Sequence, residues 1–174
     1  MAENYISKAL TFAEKAHCGQ FRKDGKPYFS HVKAVAHKVL LDWFQLIPRE
    51  AQDEWNRHKD HVVAAAALHD TIEDCGVTTN QLLHEGFSPL TVEIVDMVSK
   101  KKGETYFDFV MRLNESHPFK TGAVAVKLAD IEDNLKDCSE GSLKDKYRLS
   151  KYILSYFNRV RGNQTTPMNK FVNT

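Results

Sequence analysis

A run of small apolar residues that ends in a charged cluster constrains this chain most. The run Val62–Leu68 contains four consecutive alanines, which allow a helix to approach its neighbours closely. A charged cluster follows it at once and consists of His69, Asp70, Glu73 and Asp74. Charged groups beside a buried helix are costly unless a cation or hydrogen bonds compensate them. The segment therefore predicts a metal site at the end of a core helix.

The residues Val62–Cys75 predict a single continuous helix. On one helix His69 lies one turn before Glu73. Asp70 lies one turn before Asp74 in the same way, so the four side chains would form two tiers on adjoining faces. Taken alone, these residues also fit an exposed acidic helix end, because a His-Asp pair is common by chance.

A divalent metal at this position needs further ligands from other helices. His31, in the first turn of a predicted second helix, and Asp130, one turn before Asn134, are the best candidates by residue type. Two histidines and two aspartates without a thiolate suit a hard to borderline ion such as Mn²⁺, and zinc and Fe²⁺ also fit. The three cysteines are widely spaced and form no CxxC pair, so they predict neither a disulfide framework nor a thiolate zinc site.

Helical periodicity extends through most of the chain. Apolar residues recur at helical spacing, and glycine or proline interrupts them at intervals. We predict a single all-α domain of about seven to eight or more helices over residues 1–162. Residues 163–174 have little periodicity and predict a C-terminal tail. The polar stretch Arg49–Asp60 fits either a short helix or an irregular excursion before the alanine-rich run.

Charge and hydropathy exclude several classes of protein. The formal net charge of +1 argues against a protein that coats nucleic acid. The N-terminus lacks the features of a signal peptide, and no segment approaches the roughly 20 apolar residues that span a membrane. We therefore expect a cytoplasmic protein without a nucleic-acid or membrane partner. The sequence leaves the oligomeric state open.

Three ordered blocks of the sequence resemble a known family. They read FAEKAHCGQFRKDGKPYFSH from Phe12 to His31, AAAALHDTIED from Ala64 to Asp74, and VKLADIEDNL from Val126 to Leu135. This pattern resembles the HD-domain hydrolases related to the RelA/SpoT hydrolase domain, and within them the stand-alone small alarmone hydrolases. The resemblance covers most of residues 5–160. It implies an all-helical HD-domain enzyme that uses one Mn²⁺ per chain to remove the 3′-pyrophosphate of ppGpp and pppGpp.

The resemblance also implies the residues of the site. By motif, the metal ligands would be His31, His69, Asp70 and Asp130. Two carboxylates match the acidic pair that positions or activates the attacking water, namely Glu73 and Asp74. The substrate-binding positions would be Arg22, Lys23, Lys26, Asn134, Arg148 and Tyr152. In this arrangement the basic side chains hold the pyrophosphate, and the tyrosine stacks on the base.

Two features depart from the family pattern. The stretch between His31 and His69 is longer than expected, with Trp43–Lys59 as the surplus. Asp133 stands where an aromatic or neutral residue is more usual. We expect neither feature to touch the metal-binding set and both to reshape the nucleotide pocket.

Three functions are compatible with the sequence, and each has a small-molecule nucleotide as partner. The first is the hydrolysis of guanosine alarmones. The second is the same metal-hydrolase chemistry on another nucleotide, such as an adenine alarmone or a nicotinamide dinucleotide phosphate. The third is a module that binds a nucleotide without turnover. The acidic pair Glu73 and Asp74 argues against the third function, because a module that only binds has no need of water-activating residues.

Overall fold

The computed structural model describes residues 4–46, 52–115 and 120–162, and these residues form an all-α fold. The helices are α1 Tyr5–Ala16, α2 Phe29–Leu46, α3 Gln52–Leu68, α4 Thr71–Cys75, α5 Thr79–His84, α6 Pro89–Val98, α7 Tyr106–Arg112, α8 Lys120–Lys136 and α9 Ser142–Gly162. The predicted all-α class is therefore confirmed. The predicted tail at residues 163–174 lies outside the described residues, and the domain boundary at residue 162 stays a prediction.

Helix α3 forms the centre of the core. Every residue in Val62–Leu68 is at most 1% exposed. Helices α1, α2, α6 and α8 all pack against α3, so its small side chains face neighbours on every side. A helix that is apolar all round is buried in this way. The packing brings the C-terminal end of α3, and His69 directly after it, into the interior.

From Gln52 onward, the polar stretch before the alanine-rich run belongs to α3. Helix α3 begins at Gln52 and continues without a break to Leu68. From Gln52 onward, the stretch is therefore the N-terminal part of a long helix and not an irregular excursion. The predicted surplus Trp43–Lys59 includes the end of α2 and the start of α3, and residues 47–51 lie outside the described part of the chain.

The predicted single helix across Val62–Cys75 is wrong. Helix α3 ends at Leu68, residues 69–70 form a turn, and the short helix α4 follows. The hydroxyl of Thr71 donates to the Leu68 carbonyl at 2.7 Å. The His69 ring donates from Nδ1 to the Ala66 carbonyl at 2.8 Å. The two side chains thus donate hydrogen bonds to backbone carbonyls at the end of α3. Such local hydrogen bonds compete with the backbone hydrogen bonds of a continuing helix.

Glycine at position 122 allows α8 to approach the core closely. A Cβ atom on Gly122 would lie 3.1 Å from Cδ1 of Ile94 and 3.2 Å from Cγ2 of Val62. Helix α8 therefore packs against α3 and α6 at a distance that a larger side chain would not allow. This packing fixes the helix that carries Asp130. Among the described residues, each helix falls short of the length and apolar character that crossing a membrane requires.

Candidate metal centre

Four side chains from three parts of the fold meet at one point. They are His31 from α2, His69 and Asp70 from the turn after α3, and Asp130 from α8. One donor atom of each lies within 4.8 Å of the other three. His31, His69 and Asp130 are at most 3% exposed, and Asp70 is half-buried. The structure thus brings together all four residues that the sequence suggested as metal ligands.

Both imidazoles present the same ring nitrogen to the centre of this cluster. Nδ1 of His69 lies 2.8 Å from the Ala66 carbonyl, and Nδ1 of His31 lies 2.7 Å from Oδ2 of Asp133. Since a carbonyl and a carboxylate only accept hydrogen bonds, Nδ1 carries the proton in each ring. In the neutral ring the lone pair then lies on Nε2. That atom is buried and forms no hydrogen bond in either histidine.

An unpartnered buried nitrogen is costly, and two of them facing two carboxylates fit a metal ion. Nε2 of His31 lies 3.3 Å from Oδ1 of Asp130, and Nε2 of His69 lies 2.8 Å from Oδ2 of Asp70. Two imidazole nitrogens and two carboxylates without a thiolate form the donor set of a hard to borderline divalent ion. The residues present therefore fit the ion that the sequence predicted.

The electrostatics of the cluster favour positive charge at its centre. Burial lowers the pKa of His31, but contacts with the Asp130, Asp133 and Asp70 carboxylates outweigh burial and raise the pKa to about 11. For His69, the Asp70 and Asp130 carboxylates likewise outweigh burial and raise the pKa to about 9. Although burial opposes ionisation, the neighbouring cations hold the pKa of Asp70 and Asp130 below the ordinary range. Such a centre attracts either protons or a metal cation.

Hydrogen bonds and an ion pair orient the two carboxylate ligands. The hydroxyl of Tyr28 donates to Oδ2 of Asp70 at 2.6 Å. Burial and the Asp70 charge raise the pKa of the Tyr28 phenol, which keeps it a neutral donor. Nδ2 of Asn134 donates to Oδ1 of Asp130 at 2.6 Å, and Nζ of Lys127 lies 2.7 Å from Oδ2 of the same residue. The predicted substrate residue Asn134 therefore contacts a predicted ligand directly.

Sequence reasoning missed the contributions of Tyr28 and Lys127. Each residue lies three positions before a predicted ligand, Tyr28 before His31 and Lys127 before Asp130. Residues three apart on a helix share a face, so this spacing is a signal that could have identified Lys127 on α8. Tyr28 lies just before α2 begins, where helical spacing gives no such guide.

The expectation that Asp133 would not touch the metal-binding set is wrong. Its Oδ2 accepts a hydrogen bond from Nδ1 of His31 at 2.7 Å. Asp133 lies three residues after Asp130 on α8, so both side chains point from the same face of that helix toward His31. The residue that departs from the family pattern therefore contacts a candidate ligand.

The acidic pair lies on α4 at the edge of the cluster. Both Glu73 and Asp74 are exposed to solvent. Oε1 of Glu73 accepts a hydrogen bond from the backbone N–H of Lys100 at 2.5 Å. Partial burial, together with the nearby Asp70 charge, raises the pKa of both Glu73 and Asp74. A carboxylate with a raised pKa is a better proton acceptor near neutral pH.

The basic loop between α1 and α2 contains three of the predicted substrate residues. Nη1 of Arg22 lies 2.7 Å from Oδ2 of Asp133, and its Nη2 lies 2.9 Å from Oδ2 of Asp137. Lys26 is exposed and pairs with Asp24 at 2.6 Å, and Lys23 is also exposed. The structure thus places Arg22 beside the support of a candidate ligand and places the two lysines on the surface.

The remaining predicted substrate residues lie on α9. Arg148 forms ion pairs with Glu140 at 3.2 Å and Asp145 at 3.5 Å, and both carboxylates are exposed. Tyr152 is 68% exposed and stacks on the exposed ring of Tyr156, with ring centroids 6.2 Å apart. The structure pairs both side chains with surface residues and does not bring them into the four-residue cluster.

The chain matches a known family model and several curated proteins in sequence. The family model described as the HD domain matches residues 9–163. The guanosine-3′,5′-bis(diphosphate) 3′-pyrophosphohydrolase of Haemophilus influenzae is 33% identical over 153 residues, which is 83% of this chain and 20% of the relative. The GTP pyrophosphokinase rsh of Brucella ovis is 31% identical over 159 residues, which is 84% of this chain and 18% of the relative. The chain thus spans about a fifth of the length of the curated relatives it matches.

A solved structure shares the fold. It is described as a metazoan ortholog of SpoT that hydrolyzes ppGpp, and it superimposes with a TM-score of 0.62 at 22% sequence identity. The match covers 93% of this chain and 98% of that chain. At this level of identity, the likeness concerns the arrangement of the helices.

Proposed function

This chain belongs to the HD-domain family, as its three sequence blocks predict, and we propose that it hydrolyses guanosine alarmones. The reaction would release pyrophosphate from the 3′ position of ppGpp and pppGpp and leave GDP and GTP. The observation that carries the proposal is the buried cluster of His31, His69, Asp70 and Asp130, whose donor atoms lie within 4.8 Å of one another. The 3′-pyrophosphohydrolase name of the Haemophilus influenzae relative supports the choice of substrate.

We assign one Mn²⁺ per chain to this cluster. The two Nε2 atoms and the two carboxylates would hold it, and zinc or Fe²⁺ would fit the same donors. When bound, such an ion supplies Lewis acidity, which makes water easier to deprotonate and offsets charge on the attacked phosphoryl group. The residues around the cluster contribute the rest of the chemistry.

The acidic pair would take the proton from the attacking water. Glu73 and Asp74 lie on α4, which begins directly after the ligand Asp70. The backbone N–H of Lys100 fixes one oxygen of Glu73. Because the pKa of each carboxylate is raised, either residue is suited to act as a general base.

The basic loop would hold the departing pyrophosphate. Arg22 offers paired donors to phosphate oxygens, and the exposed Lys23 and Lys26 add positive charge at the same loop. Since Arg22 is bonded to Asp133 and Asp137, it would exchange part of these contacts for phosphate contacts. From α9, we propose that Arg148 contacts phosphate and that Tyr152 stacks on the base.

One observation favours a second candidate function, the same chemistry on another nucleotide. The carboxylates of Asp133 and Asp137 neutralise Arg22, which leaves less positive charge for a substrate with two diphosphate groups. A less anionic nucleotide, such as a nicotinamide dinucleotide phosphate, would suit such a loop. An adenine alarmone would keep the two diphosphates and change only the base.

A nucleotide panel tests these alternatives. The Mn²⁺-loaded protein is incubated with ppGpp, pppGpp, their adenine counterparts, NADPH and ordinary nucleotides, and the products are separated by chromatography. We expect pyrophosphate release from ppGpp, and Asp130→Ala serves as the matched control that lacks a ligand. Activity confined to another nucleotide would replace the first proposal with the second. Absence of hydrolysis of every nucleotide in the panel, with metal bound, would contradict both proposed reactions. It would favour a module that binds a nucleotide without turnover.

A further inference from the structure

The two histidines of the cluster are held by different kinds of acceptor. Nδ1 of His69 donates to a backbone carbonyl, whereas Nδ1 of His31 donates to the side chain of Asp133. We propose that Asp133 is a positioning residue that fixes the ring of His31 as a metal ligand. This inference rests on the metal site of the proposed function and adds a residue whose sequence position suggested no such role.

The location of Asp133 allows one helix to supply a ligand and to support another. Asp133 is 6% exposed and lies three residues after Asp130 on α8. Helix α8 packs against α2, which carries His31. Asp130 approaches Nε2 of His31 at 3.3 Å, while Asp133 accepts from Nδ1 at 2.7 Å. The two carboxylates thus contact the two nitrogens of one ring and leave it little freedom to rotate.

Two cations also contact the carboxylate of Asp133 and hold it in place. Its Oδ2 also lies 2.7 Å from Nη1 of Arg22, and its Oδ1 lies 2.9 Å from Nζ of Lys136. The carboxylate that contacts two cationic donors also accepts from His31, so the proton of this contact lies on Nδ1 of His31. The lone pair is then directed from Nε2 toward the cluster. Carboxylate partners of this kind orient metal-bound histidines and raise their basicity.

Arg22 gains a second role from this arrangement. Its guanidinium joins Asp133 on α8 to Asp137 beyond the end of that helix, and it comes from the loop before α2. The Arg22 side chain is 11% exposed, so the pair with Asp133 is shielded from solvent. Arg22 therefore fixes the carboxylate of Asp133, which in turn fixes the ring of His31. This role is additional to the substrate contact proposed for Arg22.

Metal affinity is the direct measure of this role. We expect Asp133→Ala to weaken Mn²⁺ binding by about 10–100-fold in isothermal titration calorimetry, the usual effect of losing such a partner. Asp133→Asn keeps an acceptor oxygen without the charge, so its loss should be intermediate. Asp137→Asn is the matched control, because Asp137 contacts the same arginine but is 44% exposed and does not contact His31. We expect its affinity to match that of the wild type.

Two results would overturn the inference. One is wild-type Mn²⁺ affinity in Asp133→Ala. The other is an equal loss in Asp137→Asn, which would assign the effect to Arg22 and not to the contact with His31. If Asp133→Ala does not fold, as judged by thermal unfolding of the metal-free protein, the nearly isosteric Asp133→Asn decides the question by the same criterion.

A spectroscopic readout separates positioning from a general structural effect. In the Zn²⁺-loaded protein, long-range ¹H–¹⁵N spectra report which nitrogen of each histidine carries the proton. We expect a protonated Nδ1 that exchanges slowly with solvent for both His31 and His69 in the wild type. In Asp133→Ala, the Nδ1 proton of His31 alone should exchange faster, because it has lost its acceptor. An unchanged His31 signal in the variant would contradict the inference. If the wild type binds Mn²⁺ but hydrolyses no nucleotide in the panel, the proposed reaction fails while the affinity comparison still decides the role of Asp133.

Discussion

At the scale of single residues, the partners of each candidate ligand decide which atom faces the cluster. The Ala66 carbonyl and the Asp133 carboxylate hold the two histidines by Nδ1. Tyr28 holds Asp70, while Asn134 and Lys127 hold Asp130. Each candidate ligand therefore has a fixed orientation before any ion binds, and less conformational freedom remains to be lost on binding.

The roles of the acidic pair can be tested at this scale. We expect Glu73→Gln to lower kcat for the substrate found in the panel by about 10²–10⁴-fold, the usual contribution of a general base. The Kd for Mn²⁺ should not change, because Glu73 is outside the four-residue cluster. Asp74→Asn is the matched control, since Asp74 lies on the same short helix, and the larger loss identifies the base. Full turnover in both variants with metal bound would contradict the assignment of the pair.

The pH dependence of kcat follows from the same residues. Partial burial raises the pKa of Glu73 above its ordinary value, and a general base acts in its deprotonated form. The wild-type kcat should therefore fall as the pH is lowered through this raised pKa. The residual activity of the variant that lacks the base should no longer show that fall.

The sequence identified the candidate ligands at this scale but not the residues that support them. His31, His69, Asp70 and Asp130 could be found from residue type, spacing and family motif. Asp133 could not be assigned a contact with His31, because that contact depends on how α8 packs against α2. The polarity of a residue is visible in a sequence, but its partner on another helix is not.

At the scale of elements, the break between α3 and α4 shows a limit of periodicity. Val62–Cys75 has the composition of one helix, yet the helix ends at Leu68. The hydroxyl of Thr71 donates a hydrogen bond to the Leu68 carbonyl, and the ring of His69 donates one to the Ala66 carbonyl. Apolar spacing does not report whether polar side chains will bond the backbone locally, so the turn that presents His69 and Asp70 was not predicted.

Contacts of Arg112 on α7 hold the connection between α6 and α7, and we call this set of contacts the Arg112 clamp. Nε of Arg112 lies 2.7 Å from Oε1 of Glu104, and the two Nη atoms of Arg112 donate to the carbonyls of Met97 and Ser99. The same connection contains Lys100, whose backbone N–H donates a hydrogen bond to Oε1 of Glu73. The clamp therefore fixes the segment that positions one member of the acidic pair.

We expect Glu104→Gln to lower the free energy of unfolding at neutral pH by about 1–2 kcal/mol, because a charge-assisted bond becomes a neutral one. The hydrogen bond from Arg112 holds the pKa of Glu104 below its ordinary value. A carboxylate of this kind stabilises the fold above its unfolded pKa and loses that contribution as the pH falls through the folded pKa. The difference between variant and wild type in urea unfolding should therefore shrink as the pH is lowered through that range.

The exposed Glu14 on α1 provides a control for this comparison. Glu14→Gln removes the same charge without affecting the clamp, so its free energy of unfolding should stay close to that of the wild type. A difference between Glu104→Gln and the wild type that does not change with pH would show that the Arg112 bond is not the source of the stability.

At the scale of the whole molecule, the fold assembles one site from three distant segments. His31, the pair His69 and Asp70, and Asp130 are far apart in the sequence, and the packing of α2 and α8 around α3 brings them together. The all-α class could be predicted from periodicity alone. Periodicity could not predict the convergence of the segments, because it does not specify which helices are neighbours. Residue type and the family resemblance suggested it.

A metal ion at this point would join three parts of the fold. Binding to the native state alone raises the free energy of unfolding, by about 2.7 kcal/mol when the free ion is at 100 times its Kd. The gain should disappear in Asp130→Asn, which keeps the size of the side chain but removes one charged ligand. Thermal unfolding with and without the ion therefore reports on the site through the stability of the whole molecule.

Calorimetric titration of the metal-free protein with Mn²⁺ tests the central claim most directly. The buried cluster of His31, His69, Asp70 and Asp130 predicts one ion bound per chain, a higher unfolding temperature in its presence, and loss of both effects in Asp130→Asn. Absence of binding in the wild type, or equal binding by Asp130→Asn, would contradict the assignment of this cluster as a metal site.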